Sequence, residues 1–333
     1  MPKEKILELK PIFDSSEDFE EIEKKIRAIF REEIYLPLVK FLGEPANILQ
    51  NSIDDLLKAL HSGQVTYYRG HFSGKFSALV SKELKQLGAK WARKTGTFYA
   101  PLSTLPQEVK NAIYAGERRF QDRLDRIDER LRQVLPEEIS DKVDVKKHFD
   151  AALWKTEQKF RDSVKKITLI PEISPRVRGQ IAKDWQEDLR RNIKGFTAEE
   201  TKGLRKKIRE MVFSRGNRYE SVIDEIQKSY EVSLGKARFW ARQETKLAMT
   251  TYKEARFQEA GVKWYKWKAV AGTPAHPTRP WHRDLDGKIF RFDDPPNTAR
   301  PAKYGKAEAP RYNNPGQDFN CRCFAIPVVR FEK

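Results

Sequence analysis

An α+β fold, mainly helical, is predicted by three features of this chain. Apolar residues recur at helical spacing through most of residues 107–262. Two stretches break that rhythm with short aromatic-rich or alternating runs, one near residue 85 and one after residue 263. Proline, glycine and asparagine then crowd the last part of the chain, where irregular loops are expected. With 333 residues, two or three domains are expected. The composition shifts divide the chain into a helical, acidic segment (1–60), a small basic αβ module (61–106), a helical region (107–232) and a strand-rich C-terminal domain (233–333).

Residues 1–60 read as helical. They hold nine Lys/Arg against thirteen Asp/Glu, a net charge of −4, so the remainder carries +21 of the +17 total. Ser15 or Ser16 is a candidate cap for a helix through Phe19, Ile22, Ile26 and Phe30, whose 3-4 spacing makes one apolar face. A second helix is expected over 46–61. In the next segment, VTYYRGHFSGKF reads as a strand or strand–turn and SALVSKELKQLGA as a helix ending at Gly88. AKWARKTGTFYAP reads as a hairpin turning at 94–96.

Further on, Ile113, Phe120, Leu124, Ile127, Leu131 and Val134 fall at heptad spacing among charged neighbours, the pattern of a helical hairpin or coiled-coil seam. Leu135-Pro136 ends that helix. Another is expected over about 143–167, and the prolines of ITLIPEISP break it. Thr197 with Glu200 three residues on matches a capping box, which predicts a new helix start there. Asn217 with Glu220 resembles another start. A further helix is expected from Ser233 to a C-cap near Gly261. Strands are expected over 264–270, 288–292 and 321–329.

The net charge of +17, with a pI near 9.6 and mean hydropathy of −0.74, favours contact with a polyanion or with an acidic protein surface. The 61–106 module concentrates this. Arg69, Lys75, Lys82, Lys85, Lys90, Arg93 and Lys94 face Glu83 alone, and Trp91 and other aromatics are interleaved. Such a mixture suits phosphate contact and base stacking, although half of those aromatics must fill the module's own core. No apolar h-region opens the chain, and no run approaches a membrane span. Two cysteines in a C-x-C pair build no disulfide framework, so a reducing cytosol is expected during synthesis.

Candidate chemistry clusters in residues 241–329. Glu244 shares a helical stripe with Ala237, Ala241, Ala248, Tyr252 and Ala255, so a buried carboxylate needing a partner is expected. Arg242 faces elsewhere, two helical positions away, which leaves Arg279 and Arg322 as candidate partners. Cys321 and Cys323, at i and i+2, share one face if extended. With His282, and also His276, they are candidate zinc ligands. The C-x-C is tighter than the usual C-x-x-C knuckle, so no resident cofactor is expected and purified protein should hold less than one zinc per chain. His282, Asp284 and Asp286 have nuclease-like composition, but L-D-G before an apolar strand is better read as a tight turn, with Gly287 at positive φ. No catalytic residue is assigned.

The order of these residues resembles a known family. Arg242, Glu244 and Thr245 on a helix are followed by Trp267. Then come Thr278, Arg279, Pro280, His282, Leu285, Asp286 and Gly287, and a close on Pro315, Gly316, Asn320, Cys321, Arg322, Cys323 and Pro327. This series is similar to the phage Mu F-like minor head proteins, also called phage head morphogenesis proteins. The resemblance implies a non-enzymatic minor capsid protein of a tailed phage or prophage. Such a protein would act at the portal vertex in procapsid assembly, with roles in DNA packaging or ejection. It further implies portal, major capsid or scaffold proteins as partners, non-specific DNA contact, no membrane, and a place in the virion interior after assembly in the host cytoplasm. Some members carry C-x-x-C where this chain has Arg279-Pro280-Trp281-His282, which supports a metal in them and leaves only His282 of that pair here. Two alternatives stand beside it: a toxin-like enzyme using the C-terminal domain, and a free DNA-binding accessory factor.

Overall fold

A computed structural model describes residues 5–14, 17–42, 53–63, 65–73, 76, 78–165, 172–214, 219–272 and 277–331. The fold is α+β and mainly helical, with two four-stranded antiparallel sheets. The chain forms two compact units, each drawn from separate segments: one from 1–25, 144–192 and 237–333, the other from 26–143 and 193–236.

The second unit begins in helix α1 (Glu17–Phe30), whose Ile22, Ile26 and Phe30 are buried as their spacing requires. A wider π-type turn, Arg31–Tyr35, leads into α2 (Leu36–Leu42) and aims Tyr35 at the Ser229 and Ser233 hydroxyls. After α3 (Ile53–His61) comes the small sheet. Strands β2 (Thr66–Tyr68) and β3 (His71–Ser73) form a hairpin whose turn residues, Arg69 and Gly70, both have positive φ. That conformation suits the strands' twist. Helix α4 (Ala78–Gln86) ends before Gly88, which has positive φ as expected of a C-cap. Strands β4 (Lys90–Ala92) and β5 (Thr97–Tyr99) complete the order β2-β3-β5-β4.

The core of this sheet reaches beyond the module's own residues. Leu56 and Leu60 of α3, and Val109, Ala112 and Ile113 of α5 (Gln107–Gln133), join Tyr67, Phe72, Val80, Leu84 and Phe98 in one cluster. Helices α3 and α5 meet at glycines. A Cβ on Gly116 would lie 1.7 Å from the Leu60 carbonyl oxygen, and one on Gly63 2.6 Å from that of Gly116. The heptad positions of α5, from Ile113 to Val134, are buried.

After α6 (Pro136–Asp141) and α7 (Lys146–Val164), two helices run much longer than expected. Helix α8 (Pro175–Ser214) passes straight through Thr197, and α9 (Tyr219–Glu259) passes through Ser233. The capping box at Thr197–Glu200 is therefore not a helix start. The Thr197 hydroxyl donates to the Ile193 carbonyl one turn back, and Thr201 repeats this toward Thr197. A buried hydroxyl satisfied within its own helix removes the reason to cap. Ser233 likewise donates to the Ser229 carbonyl. The candidate signals at Ser15, Ser16, Asn217 and 46–52 lie outside the described residues.

The other sheet has the order β1-β8-β6-β7. Strands β6 (Trp264–Lys268), β7 (Ile289–Arg291) and β8 (Phe324–Phe331) lie close to the expected stretches. Strand β1 (Lys5–Glu8) corrects the all-helical reading of 1–60: it pairs along β8, Lys5 opposite Phe331 and Glu8 opposite Val328. Four residues are too short a run for periodicity to separate from a helix end. Beneath this sheet Leu9, Ile12, Phe160, Val164, Phe257, Val262, Tyr265, Trp267 and Phe292 form a core that also takes in Cys321 and Cys323. Full burial of each large side chain there contributes about 1.5–3 kcal/mol.

This core also contains charge. The guanidinium of Arg256 is wholly buried and lies 4.4 Å from the Phe160 ring centre. It donates twice to Glu157, at 2.7 and 2.8 Å, and once to Glu259 at 2.8 Å. The Tyr252 hydroxyl donates to the same Glu157 at 2.9 Å. Burial alone would raise the Glu157 carboxyl; the Arg256 and Tyr252 bonds outweigh it and hold the group below its ordinary value.

Candidate functional site

The irregular segment between β6 and β8 folds back on itself through a few backbone-specific residues. The Asp286 carboxylate accepts from the Ala269 amide at 2.8 Å and from Lys268 at 3.1 Å. Gly287 takes φ of +76°, as the L-D-G turn requires. The Thr278 hydroxyl donates to the Val270 carbonyl. Together these hold α10 (Pro280–Arg283), one turn of helix, against the end of β6. Farther on, Gly316 (φ +98°) and Asn320 (φ +52°) bend the chain ahead of β8. A side chain at Gly316 would press on the Thr250 hydroxyl at 3.1 Å.

These two turns bring His282 to both cysteines. Its Nδ1 lies 3.5 Å from Cys321 Sγ and 3.8 Å from Cys323 Sγ. All three residues are at most 5% exposed, and their donor atoms lie within 4.8 Å of one another. The cysteines lie in the irregular segment just before β8, not within it as expected, yet both sulfurs still approach the same imidazole nitrogen. Trp267 stands edge-on to the imidazole, ring centres 5.7 Å apart.

Asp318 organises the other side of the histidine. Only 4% exposed, it places Oδ2 3.3 Å from His282 Nε2, an ionic contact rather than an aligned hydrogen bond. The same oxygen lies 3.3 Å from Arg279 Nη1, and Arg311 is 3.6 Å from Oδ1. The Phe319 amide donates to Oδ1 at 2.9 Å. Burial would raise this carboxyl, and the His282, Arg279 and Arg311 charges hold it below its ordinary value. For His282, burial would lower the pKa, and the contacts with Asp318 and Cys321 carry it up to about 9. The Cys323 thiol donates to Cys321, so Cys321 is the sulfur driven toward thiolate while Cys323 is pushed up. Lys246, whose Nζ donates to the Cys321 carbonyl at 2.6 Å, adds positive charge beside the pair.

Other expected residues sit elsewhere. Glu244 is half-buried and accepts from Asn192 Nδ2 at 3.1 Å; it does not pair with Arg279 or Arg322. Arg279 is committed to Asp318 and to the Phe319 carbonyl, and Arg322 is exposed. Burial, with Asp188 nearby, raises the Glu244 carboxyl. Arg242 is exposed over the Phe19 ring, and Thr245 is buried. Asp284 binds Lys303 and Tyr304 and so does not converge with His282. His276 and Lys75 lie outside the described residues. Arg69, Lys85, Lys90, Arg93 and Lys94 of the small sheet are exposed, as is Trp91 at 49%. Asp318 was missed, because an acid in a Pro/Asn-rich loop carries no periodic signal.

Comparison with known proteins bears on this same part of the chain. Residues 202–326 match the model of the family described as phage Mu protein F like protein. These residues form a Mu F-like region. Over 115 residues, 34% of its length, the chain is 30% identical to an uncharacterised protein of Haemophilus influenzae and 31% identical to the minor head protein GP7 of Bacillus phage SPP1. The matches span 22% and 36% of those relatives, so the chain spans about a fifth to about a third of the curated relatives it matches. No solved structure matches the chain. The Mu F-like region contains the C-terminal part of α8, all of α9, strands β6 and β7, and the whole His282–Cys321–Cys323 cluster.

Proposed function

We propose that this protein is a minor head protein of a tailed phage or prophage that acts at the portal vertex during procapsid assembly. The observation that carries this reading is the family match over residues 202–326 together with the chain's similarity to the SPP1 minor head protein. The residues expected to matter, Arg279, His282, Asp286, Gly287 and the C-x-C, act here as turn-formers and buried partners, which fits an assembly role rather than turnover. The partners are portal protein and major capsid or scaffold protein, and the site of action is the virion interior. Co-expression of the full chain with the portal and capsid proteins of its own phage or prophage tests this. Co-purification with portal, and retention in assembled heads, is the expected result. Heads that form normally and contain none of the protein would overturn it.

A second reading, contact with packaged DNA, rests on the small sheet. There exposed Trp91 and Tyr99 stand among exposed Lys90, Arg93 and Lys94. Charge of this kind contacts phosphates and exposed rings stack on bases, without sequence preference. If about six phosphates are neutralised, affinity of the full chain for random DNA falls roughly a thousandfold between 50 and 200 mM salt. No binding at micromolar concentration in low salt would remove this role.

A further inference from the structure

We propose that His282 Nδ1, Cys321 Sγ and Cys323 Sγ bind one zinc ion, independently of any role in head assembly. With zinc about 2.0–2.1 Å from nitrogen and about 2.3 Å from sulfur, tetrahedral corners fall roughly 3.6 Å apart for N···S and about 3.8 Å apart for S···S. The two N···S separations here are 3.5 and 3.8 Å, and no donor pair exceeds 4.8 Å. The two N···S edges thus match a face of a zinc-sized tetrahedron, and the S···S edge is no longer than 4.8 Å.

Nδ1 has one proton or one lone pair, so it bonds one sulfur at a time, and the other sulfur bonds the first rather than the ring, yet both sulfurs converge on Nδ1. A cation at the shared vertex serves all three. The far side of the ring is also prepared. Asp318, 4% exposed and gripped by Arg279 and the Phe319 amide, faces Nε2 at 3.3 Å. A carboxylate there holds the Nε2–H tautomer, leaving the Nδ1 lone pair toward the sulfurs; metal-binding histidines are held in this way. The tight C-x-C is no obstacle. Both sulfurs already turn to the same nitrogen, and the third donor comes from α10 rather than from the same turn. Two thiols and one imidazole form a donor set suited to zinc. Binding displaces whatever protons the two sulfurs and Nδ1 hold, and the two thiolates leave the bound ion with no net charge. The fourth corner takes water or another small ligand. The ion would pin α10 to the turn before β8, the two loops that no strand pairing joins.

Metal analysis of the full chain, purified with a phosphine reductant and desalted, should give one zinc per chain. After chelation, cobalt(II) added to the same protein should give the thiolate-to-cobalt charge-transfer bands and the strong visible bands of a tetrahedral site. Cys321→Ser and Cys323→Ser should lose both signals. Asp318→Asn, which keeps every donor, should keep the cobalt spectrum and weaken zinc affinity by about 10- to 100-fold, marking Asp318 as a positioning residue. Zinc that stays bound in the double Cys→Ser variant would place the metal elsewhere and overturn the proposal. So would folded wild-type protein with both thiols free that binds neither zinc nor cobalt; this needs no variant to fold.

Discussion

The β2-β3-β5-β4 sheet and the β1-β8-β6-β7 sheet have the same strand count and the same antiparallel pairing, but different cores. The first closes over aliphatic and aromatic side chains and over two helices that touch at Gly63 and Gly116. The second closes over apolar residues together with Arg256, Glu157, Glu254, Asp318 and the His282–cysteine cluster. A core without charge is limited by shape: it tolerates conservative exchange until volume is added where backbones meet. A core holding charge is limited by pairing: each ion is costly alone and near neutral with its partner. The two regions should therefore fail under different substitutions.

The largest effect should come from Glu157→Ala, which removes two of the buried Arg256 guanidinium's three bonds to carboxylates and leaves the one to Glu259. We expect a loss of about 3–5 kcal/mol in urea unfolding, with Arg256→Met in the same chain restoring much of it. A loss below about 1 kcal/mol, or no recovery, would contradict the pairing account. Next is Gly116→Ala, which puts a methyl group within bonding distance of the Leu60 carbonyl. Overpacking of this kind should cost about 3 kcal/mol, and Ile113→Val on the same helix much less, near 1 kcal/mol. Equal effects would mean that shape does not govern this region.

Acidity gives a third contrast. Burial carries the Glu254 carboxyl up to about 8, only partly opposed by Asn314, Lys253 and Gln317. A carboxyl whose folded pKa lies above its unfolded one binds more protons when folded. Its contribution is complete below about pH 4.5 and is lost as pH rises toward 8. Glu254→Gln should flatten that decline, by on the order of 2 kcal/mol between pH 5 and 8 in thermal or urea melts. An unchanged slope would exclude Glu254 as its source. The smallest effect is reserved for Glu244→Gln. Half-buried, its carboxyl already raised and bonded to an amide, Glu244 should accept glutamine for less than about 1 kcal/mol. A loss of 3 kcal/mol would reveal a buried ion pair after all.

How much of this was legible beforehand depended on the range of the interaction. The α5 seam, the β4–β5 hairpin and the L-D-G turn were readable because each is settled by neighbours a few residues apart. The C-x-C facing His282 was readable as donor chemistry, though not as a geometry. Thr197 misled because a capping box and a buried hydroxyl folded onto its own helix look alike in sequence. The Glu157–Arg256 pair and Asp318 were invisible, since their partners are distant in the chain and no local pattern marks them. For the same reason Glu244 was given arginine partners when Asn192 is the group that reaches it.

The pairing of β1 with β8 has a consequence for how the molecule is made. Lys5 meets Phe331 and Glu8 meets Val328, with nearly the whole described chain between them. Closing so long a loop brings no reward until its ends meet, and contacts of high sequence separation form slowly. On a ribosome β1 emerges first among the described strands and its partner last. Through all of synthesis it remains an unclaimed edge, with Ile6 and Leu7 still 42% and 40% exposed even when docked. The sheet that carries the cysteine cluster is thus the last part of its unit able to close. During that interval Cys321 and Cys323 are newly made, reduced and open to whatever the surrounding solution offers them.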